Sequence, residues 1–266
     1  MESEYVYRSA GSYPPKTQQI TEHKYTAISG ASSFVPINSS WTNLGVQISG
    51  GMDSALLLYL TAKTVKDNNY NVSIRPIHFD IPSKLPVQPF AIINKIEELL
   101  DFKFGDVLKY DIPLEQCTKE AVLAGRGKKE FIIKTIREIL MDNTIDFEFN
   151  GNTKNPPHEF RKKFKNNDYR EKNRDRTDTI YKGPKNASPH SFLDKADIVN
   201  LYMKYDLVDT LLPLTCSCDN WAETIKEKKL DVPCGQCWWC DERAYGFRQN
   251  NIIDPTPIKR YQNGNS

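Results

Sequence analysis

Short apolar runs alternate along the middle of the chain with stretches in which apolar residues recur at helical spacing. The runs predict buried strands at residues 44–49, 72–79, 106–110 and 145–149. Apolar residues at intervals of three and four positions predict amphipathic helices at residues 55–65, 90–100, 120–141 and 195–205. Strands that alternate with helices favour an α/β fold, in which an open parallel sheet carries helices on both faces.

Single residues refine these elements. Pro76 has no N–H group for a sheet hydrogen bond, so it favours an edge position or a bulge for the second strand. Asp194 is a typical N-cap residue and predicts that the last helix begins at Lys195. Residues 1–43 are rich in Ser, Thr, Tyr and Pro without a sustained period, so we expect an irregular N-terminal arm there.

Four regions are therefore expected along the chain. The arm at 1–43 precedes an α/β domain at 44–210, which contains a basic insertion at 153–186. A cysteine-rich region follows at 211–247, and residues 248–266 form a C-terminal tail. A chain of 266 residues is long enough to bury a core without disulfide bonds.

The composition is that of a water-soluble protein. Hydrophobic residues make up 39% of the chain, and the mean hydropathy is −0.59. The longest apolar stretch, at 55–60, is far shorter than the ~20 residues that a membrane-spanning helix needs. The N-terminus opens on acidic residues with no apolar segment after them, which predicts a cytoplasmic protein without a secretory signal. In a reducing compartment the six cysteines are not expected to form disulfides.

Charge is distributed unevenly around a net value of +2. The insertion at 153–186 carries eleven basic and five acidic residues and few large aliphatic ones, which indicates a loop, an insertion or a lid rather than core. Its interleaved tyrosine and arginines, Tyr169 to Arg176, are compatible with nucleic-acid binding. The near-neutral charge of the whole chain favours a small-molecule substrate instead, and a homodimer is compatible with the sequence.

The segment Ser49-Gly50-Gly51-Met52-Asp53-Ser54 joins the first predicted strand to the first predicted helix. Glycines allow a sharp turn and a close approach of the backbone to an oxyanion. A helix N-terminus offers unpaired N–H groups to phosphate, and the two serines add hydroxyl donors. Asp53 is placed to hold Mg²⁺ or to orient the loop. The alternative is an ordinary Gly-Gly turn with Asp53 as a helix cap.

Three cysteines in the order Cys234-Gly-Gln-Cys237-Trp-Trp-Cys240 follow a pair at Cys216 and Cys218. Three thiolates on one turn and a fourth from a nearby segment can form a tetrahedral, structural Zn²⁺ site. The alternatives are buried free thiols, a redox pair and an iron–sulfur cluster.

These two motifs carry a resemblance to known families. Ser-Gly-Gly-x-Asp-Ser resembles the PP-loop signature of ATP pyrophosphatases, whose fold is Rossmann-like and similar to adenine-nucleotide alpha-hydrolases. The stretch from Leu214 through Cys240 to Arg243 resembles the C-terminal signature of 7-cyano-7-deazaguanine synthase, in which the register makes Cys218 the fourth zinc ligand. Gly151-Asn152 and the helix start at Lys195 also match that family, so the resemblance covers residues 44–247.

The resemblance implies an ATP-dependent carbon–nitrogen ligase of the queuosine pathway. Such an enzyme adenylates 7-carboxy-7-deazaguanine and converts it with ammonia to the nitrile, using ATP, Mg²⁺ and Zn²⁺. Asp53 and Lys195 would be catalytic residues, Ser49 to Ser54 would bind ATP, and 44–210 would be a PP-loop nucleotide-binding domain. Zinc would be held by four cysteines, namely Cys218, Cys234, Cys237 and Cys240.

The substrate pocket is expected near strand ends and departs from the family. His78, Asp80, Gly151 and Asn152 are the candidate substrate residues, although a histidine at a strand end is as often structural. The sequence reads His78-Phe79-Asp80 where the family has a Tyr-Gly-Gln-x-His-like stretch. Two alternative functions follow: another PP-loop adenylating enzyme, for tRNA base thiolation or amination, and a non-catalytic nucleotide-binding protein.

Overall fold

A computed structural model describes residues 20–80, 89–118, 120–121, 124, 127–157, 179–218, 233, 235 and 237–256. The strands in these residues are β1 (Ile20–Thr26), β2 (Ser32–Asn38), β3 (Asn43–Gln47), β4 (Ser73–Asp80), β5 (Leu108–Asp111), β6 (Phe147–Phe149), β7 (Tyr181–Gly183) and β8 (Asn186–Ala187). The α-helices are α1 (Met52–Asp67), α2 (Pro89–Leu100), α3 (Lys128–Met141), α4 (Lys195–Lys204) and α5 (Trp238–Gln249). In this described part, no helix has the length and apolar character needed to cross a membrane.

Six strands form one sheet in the order β5-β4-β3-β6-β8-β7. All neighbours are parallel except β7, which is antiparallel to β8. The predicted α/β fold with a mostly parallel sheet is therefore confirmed. β3 lies between β4 and β6, and its Val46 is level with Phe149 of β6. The loops that follow β3 and β6 consequently leave the same edge of the sheet side by side.

Helices cover both faces of the sheet, as the alternating pattern predicts. On one face α1, α2 and α4 contribute to the main core, in which Leu56, Leu60 and Ile198 are completely buried. On the other face α3 buries Ile136 and Ile139 in a smaller apolar cluster that includes Ile77 of β4. The two clusters hold the sheet between two layers of helices. A functional site can therefore form at the carboxyl edge of the sheet.

Asp194 caps α4 as predicted. Its carboxylate accepts the backbone N–H groups of Ala196 (2.8 Å) and Asp197 (3.1 Å), and Asp197 in turn accepts the N–H of Asp194 (3.0 Å). This reciprocal capping box satisfies donors that a helix start otherwise leaves unpaired, so it fixes Lys195 as the first residue of α4.

The prediction of an irregular arm over 1–43 is wrong for residues 20–38, which form the antiparallel hairpin β1–β2. Tyr25 packs into the main core, and its hydroxyl group lies 2.5 Å from the hydroxyl of Thr64 on α1. The hairpin was missed because β2 is buried over most of its length, so its residues do not alternate between apolar and polar. Residues 1–19 lie outside the described part of the chain.

Pro76 lies in an interior strand, contrary to the expectation of an edge or a bulge. It is paired with Val46 of β3, whereas the ladder between β4 and β5 begins only at Ile77. The described β5 is short, so Pro76 lies just before its ladder and needs no hydrogen bond to that neighbour.

Three other predicted segments differ from the structure in their boundaries. The helix expected over 120–141 is not one helix in the described residues, because residues 120–121 are helical and a separate helix begins at Lys128 after Gly127 as its N-cap. The end of the basic insertion forms β7 and the start of β8, so it belongs to the sheet rather than to a loop. Residues 158–178, to which the loop-or-lid interpretation applies, lie outside the described residues. α5 continues past residue 247 and extends into the expected tail.

Candidate functional site

The loop between β3 and α1 has the geometry of an anion-binding turn. Gly50 has φ +79°, a left-handed conformation that favours glycine, and Gly51 is the N-cap of α1 without a side-chain cap. Ser54 holds the turn closed, because its hydroxyl accepts the backbone N–H of Ser49 (3.1 Å) and donates to the carbonyl of Gly51 (3.1 Å). The N-terminus of α1 therefore opens onto the carboxyl edge of the sheet, where it can bind phosphate.

The segment after β6 passes directly against this turn. A Cβ atom added at Gly151 would lie 3.0 Å from the backbone nitrogen of Ser54, closer than ordinary contact allows. A third segment joins them, because the backbone N–H of Cys216 donates to the carbonyl of Gly50 (2.8 Å). Gly151 thus has a steric reason to be glycine, which the sequence motif alone does not give.

Asp53 and Lys195 meet at this turn, although 142 positions separate them in the sequence. The ammonium group of Lys195 contacts Asp53 Oδ2 and lies 3.9 Å from Glu242 Oε2. Asp53 Oδ1 is buried and has no hydrogen-bond partner in the described part of the chain. An acidic oxygen held this way beside an anion-binding turn fits a Mg²⁺ ion, which prefers oxygen ligands.

The backbone of Lys195 packs against α5. A Cβ atom added at Gly246 would lie only 2.5 Å from the backbone carbonyl oxygen of Lys195. α4 and α5 therefore touch through their backbones at this point, and a larger residue at 246 would displace one of them.

A buried histidine completes this group. His190 is fully buried, and its Nδ1 lies 2.8 Å from the hydroxyl of Ser33. Burial lowers the pKa of His190 to about 4, with a smaller opposing effect from the charge of Asp53. His190 is therefore neutral at pH 7 and adds no charge next to the Asp53–Lys195 pair. Sequence reasoning missed it, because no motif marks it.

One cavity of about 1190 Å³ connects most of the predicted residues. Those that line it are Ser49, Gly51, Asp53, Ser54, Gly151, Asn152 and Lys195. Gly50 supplies the turn, whereas Met52 is completely buried, and its carbonyl accepts the hydroxyl of Tyr202 (2.8 Å). The structure thus brings Gly151, Asn152 and Lys195 to a single site with the loop at 49–54, which we call the phosphate loop.

His78 and Asp80 do not line this cavity. His78 is buried, with its Nδ1 2.9 Å from the carbonyl oxygen of Ile48, so it links β4 to the end of β3. The carboxylate of Asp80 lies 3.2 Å from the ammonium of Lys109 on β5. Both residues therefore lie apart from the cavity that Gly151 and Asn152 line.

Polar residues that the sequence did not single out also line the cavity, among them Gln47, Glu148 and Asn150. Gln47 Nε2 donates to Glu148 Oε1 (2.7 Å), and the side chain of Asn150 is a second partner of that carboxyl group. Burial raises the pKa of Glu148 to about 8, which the two hydrogen bonds partly oppose. The only sequence signal for Glu148 is that an acidic residue lies between the buried apolar residues of a strand.

The cysteine region brings three sulfur atoms together. The sulfurs of Cys218, Cys237 and Cys240 all lie within 4.8 Å of one another, and Cys218 and Cys240 are buried. This spacing fits three corners of a tetrahedral metal site. Cys216 packs against the cluster but is not in this group, and it lines the cavity. Cys234, the predicted fourth ligand, lies outside the described residues.

Comparison with known proteins gives only distant structural neighbours. No family model matches the chain, and no curated protein matches it. NAD⁺ synthetase from Burkholderia pseudomallei aligns over 80% of this chain and 81% of its own, at 13% identity and a TM-score of 0.35. The U34-tRNA thiolase NcsA from Methanococcus maripaludis, solved with its 4Fe–4S cluster, aligns over 79% of this chain and 65% of its own, at 14% identity and a TM-score of 0.34.

A third neighbour is a protein from Methanocaldococcus jannaschii described as a predicted subunit of tRNA methyltransferase. It aligns over 80% of this chain and 90% of its own, at 15% identity and a TM-score of 0.27. At these values the similarity supplies no functional detail. The function therefore has to be inferred from the residues of the cavity and of the cysteine cluster.

Proposed function

We propose that this chain is an ATP-dependent enzyme that activates a carboxylate by adenylation. The observation that carries the proposal is that the phosphate loop and the Asp53–Lys195 pair open into one cavity together with Gly151 and Asn152. The resemblance of the motifs favours a specific reaction, the conversion of 7-carboxy-7-deazaguanine with ammonia to its nitrile.

Polar groups of the loop, together with Lys195, would have distinct roles in this reaction. The N–H groups at the start of α1, that of Ser54 included, and the hydroxyl of Ser49 would bind the pyrophosphate end of ATP, while the Ser54 hydroxyl keeps the turn closed. Asp53, with its buried and unpartnered Oδ1, would hold Mg²⁺, which supplies charge neutralisation for the phosphate oxygens. Lys195, aligned by Asp53, would stabilise negative charge that develops on the phosphate oxygens during transfer.

The bond changes follow from the chemistry of carboxylate activation. A substrate carboxylate oxygen attacks the α-phosphorus of ATP, pyrophosphate leaves, and an acyl-adenylate forms. Ammonia then displaces AMP and gives the amide. The amide oxygen then attacks the α-phosphorus of a second ATP, and a second pyrophosphate leaves. Loss of AMP and of the two protons on nitrogen gives the nitrile. Burial of Lys195, which is only 2% exposed, keeps water away from part of this site.

Direct assay of the purified protein tests the proposal. Incubation with ATP, Mg²⁺, ammonium and 7-carboxy-7-deazaguanine should release AMP and pyrophosphate and give a product with the mass of the nitrile. Omitting ammonium should prevent the change of mass. If AMP forms with tRNA but not with the deazapurine acid, the reaction is instead an adenylation of a tRNA base.

We also propose that the cysteine cluster holds one structural zinc ion. Replacing Cys218, Cys237 or Cys240 by Ser should lower bound metal and soluble yield together, because metal binding contributes to the folding free energy. Elemental analysis by mass spectrometry measures the metal, with Cys216→Ser as the matched control that should keep it. Detection of iron together with acid-labile sulfide would show that the site holds an iron–sulfur cluster instead of zinc. Metal loss in Cys216→Ser alone would contradict the ligand set.

A further inference from the structure

A second group of polar side chains lines the cavity beside the phosphate loop. Gln47 ends β3, Glu148 lies in the middle of β6 and Asn150 follows that strand, and all three line the cavity. Glu148 is level with Gly45 on one side and with Asn186 on the other. Gly45 has no side chain, and Ile145 and Ile77 fill the space beside it, so the contact of Glu148 with β3 is made through Gln47.

Helix α3 contributes both aliphatic and basic side chains to the same cavity. The aliphatic ones include Ile132, Ile136 and Leu140. A cavity that combines aliphatic side chains with a few hydrogen-bonding groups is typical of sites for small organic ligands. The mechanism proposed above uses the phosphate loop and leaves this part of the cavity unassigned.

Glu148 is buried without a cationic partner. The charged residues that line the same cavity are Lys128, Lys129 and Arg137 of α3, Lys182 and Lys185 of the insertion, and the Asp53–Lys195 pair. Within the described residues, none of them forms an ion pair with Glu148, and its recorded partners are Gln47 and Asn150. With a pKa of about 8, the group carries its proton at pH 7. A protonated carboxyl group offers one donor and one acceptor side by side.

We propose that the carboxyl group of Glu148 recognises the ring of the substrate by pairing with an edge that carries an adjacent donor and acceptor. The matching ligand class is a planar nitrogen heterocycle with a lactam or amidine edge, stacked against α3. The inference rests on the proposed function in one respect, namely that this ring belongs to the acid being activated. The carboxylate of that acid would then point away from Glu148 and toward the phosphate loop.

Binding of 7-deazaguanine to the full chain tests this assignment, because the base lacks a carboxylate and cannot be adenylated. Its dissociation constant is measured by calorimetry from pH 6 to pH 9. Below the pKa Glu148 holds its proton and affinity should be constant, whereas above about pH 8 affinity should fall up to about tenfold per pH unit. Glu148→Gln keeps a donor and an acceptor, so it should bind within about threefold and lose this pH dependence.

Two further variants complete the experiment. Glu148→Ala should weaken binding at pH 7 by about tenfold, because it leaves the ring edge unpaired. Glu98→Gln, an exposed residue on α2, is the control for the same chemical change and should behave as wild type. Circular dichroism shows whether each variant is folded, and if Glu148→Ala is not, the pH profile of Glu148→Gln decides.

The outcomes separate this inference from the proposed function. Identical pH profiles in wild type and Glu148→Gln, or no binding of 7-deazaguanine at any pH, would overturn the role of Glu148. If the base binds with the expected profile but the carboxy derivative is not turned over, ring recognition stands and the ligase function is wrong. If turnover occurs and the variant keeps the wild-type profile, the ligase function stands and the role of Glu148 is wrong.

Discussion

Asp53→Asn and Lys195→Met should each lower ATP turnover by about a hundredfold to a thousandfold. The two side chains contact each other at the start of α1, and loss of one preorganised charge in a site for phosphoryl chemistry has an effect of this size. Ser49→Ala removes a single hydroxyl next to the same turn, so its effect should be smaller. Release of pyrophosphate under saturating ATP measures all three.

Asp67→Asn is the matched control, because it makes the same chemical change in the same helix. Asp67 pairs with Lys63 on the surface side of α1, and the two groups are 2.8 Å apart. Its turnover and melting temperature should equal those of wild type. Turnover in Asp53→Asn within a factor of three of wild type, with the protein folded, would show that the loop does not act on phosphate.

Asp254→Ala should lower the free energy of unfolding by about 3–5 kcal/mol, since it leaves a buried guanidinium group without its counter-charge. Arg243 of α5 binds Asp254 through two hydrogen bonds, Nε to Oδ2 at 2.6 Å and Nη2 to Oδ1 at 2.9 Å. Both side chains are almost completely buried. The ion pair therefore ties the chain after α5 back onto that helix.

Urea unfolding followed by circular dichroism measures this loss. The control is Glu98→Ala, which breaks a pair with Lys95 in which the glutamate is 67% exposed and should cost less than about 1 kcal/mol. The double variant Arg243→Met/Asp254→Leu should recover much of the stability, because it removes both buried charges. A loss below about 1 kcal/mol in Asp254→Ala would mean that water reaches the guanidinium group.

Local signals in the sequence were sufficient for the centre of the fold. The strand at 44–49, the glycine turn and the helix follow directly along the chain. The three predictions therefore support one another. Asp194 and Asp197 have the three-residue spacing of a capping box, which fixes the start of α4 independently of packing. Short-range chemistry of this kind does not depend on the rest of the chain.

Elements that depend on distant partners could not be predicted. β7 and β8 have three and two residues, too few for a hydrophobic period, and they form because β6 offers an open edge. Glu148 is part of an apolar strand in the sequence, and only the sheet register shows that it faces a cavity. His78 is the opposite case. Its position at a strand end predicted a pocket residue, whereas its Nδ1 lies 2.9 Å from the carbonyl oxygen of Ile48.

The close backbone contact between Gly246 and Lys195 makes α4 and α5 one cooperative unit in the native ensemble. α5 begins directly after Cys237, and its first turn contains Cys240, so removal of the metal proposed for the cysteine cluster would loosen this helix from its start. Because α4 packs closely against α5 at Gly246, loosening of α5 would remove this support from Lys195. The amide protons of α4 would then exchange with solvent sooner, although no residue of that helix belongs to the cysteine cluster.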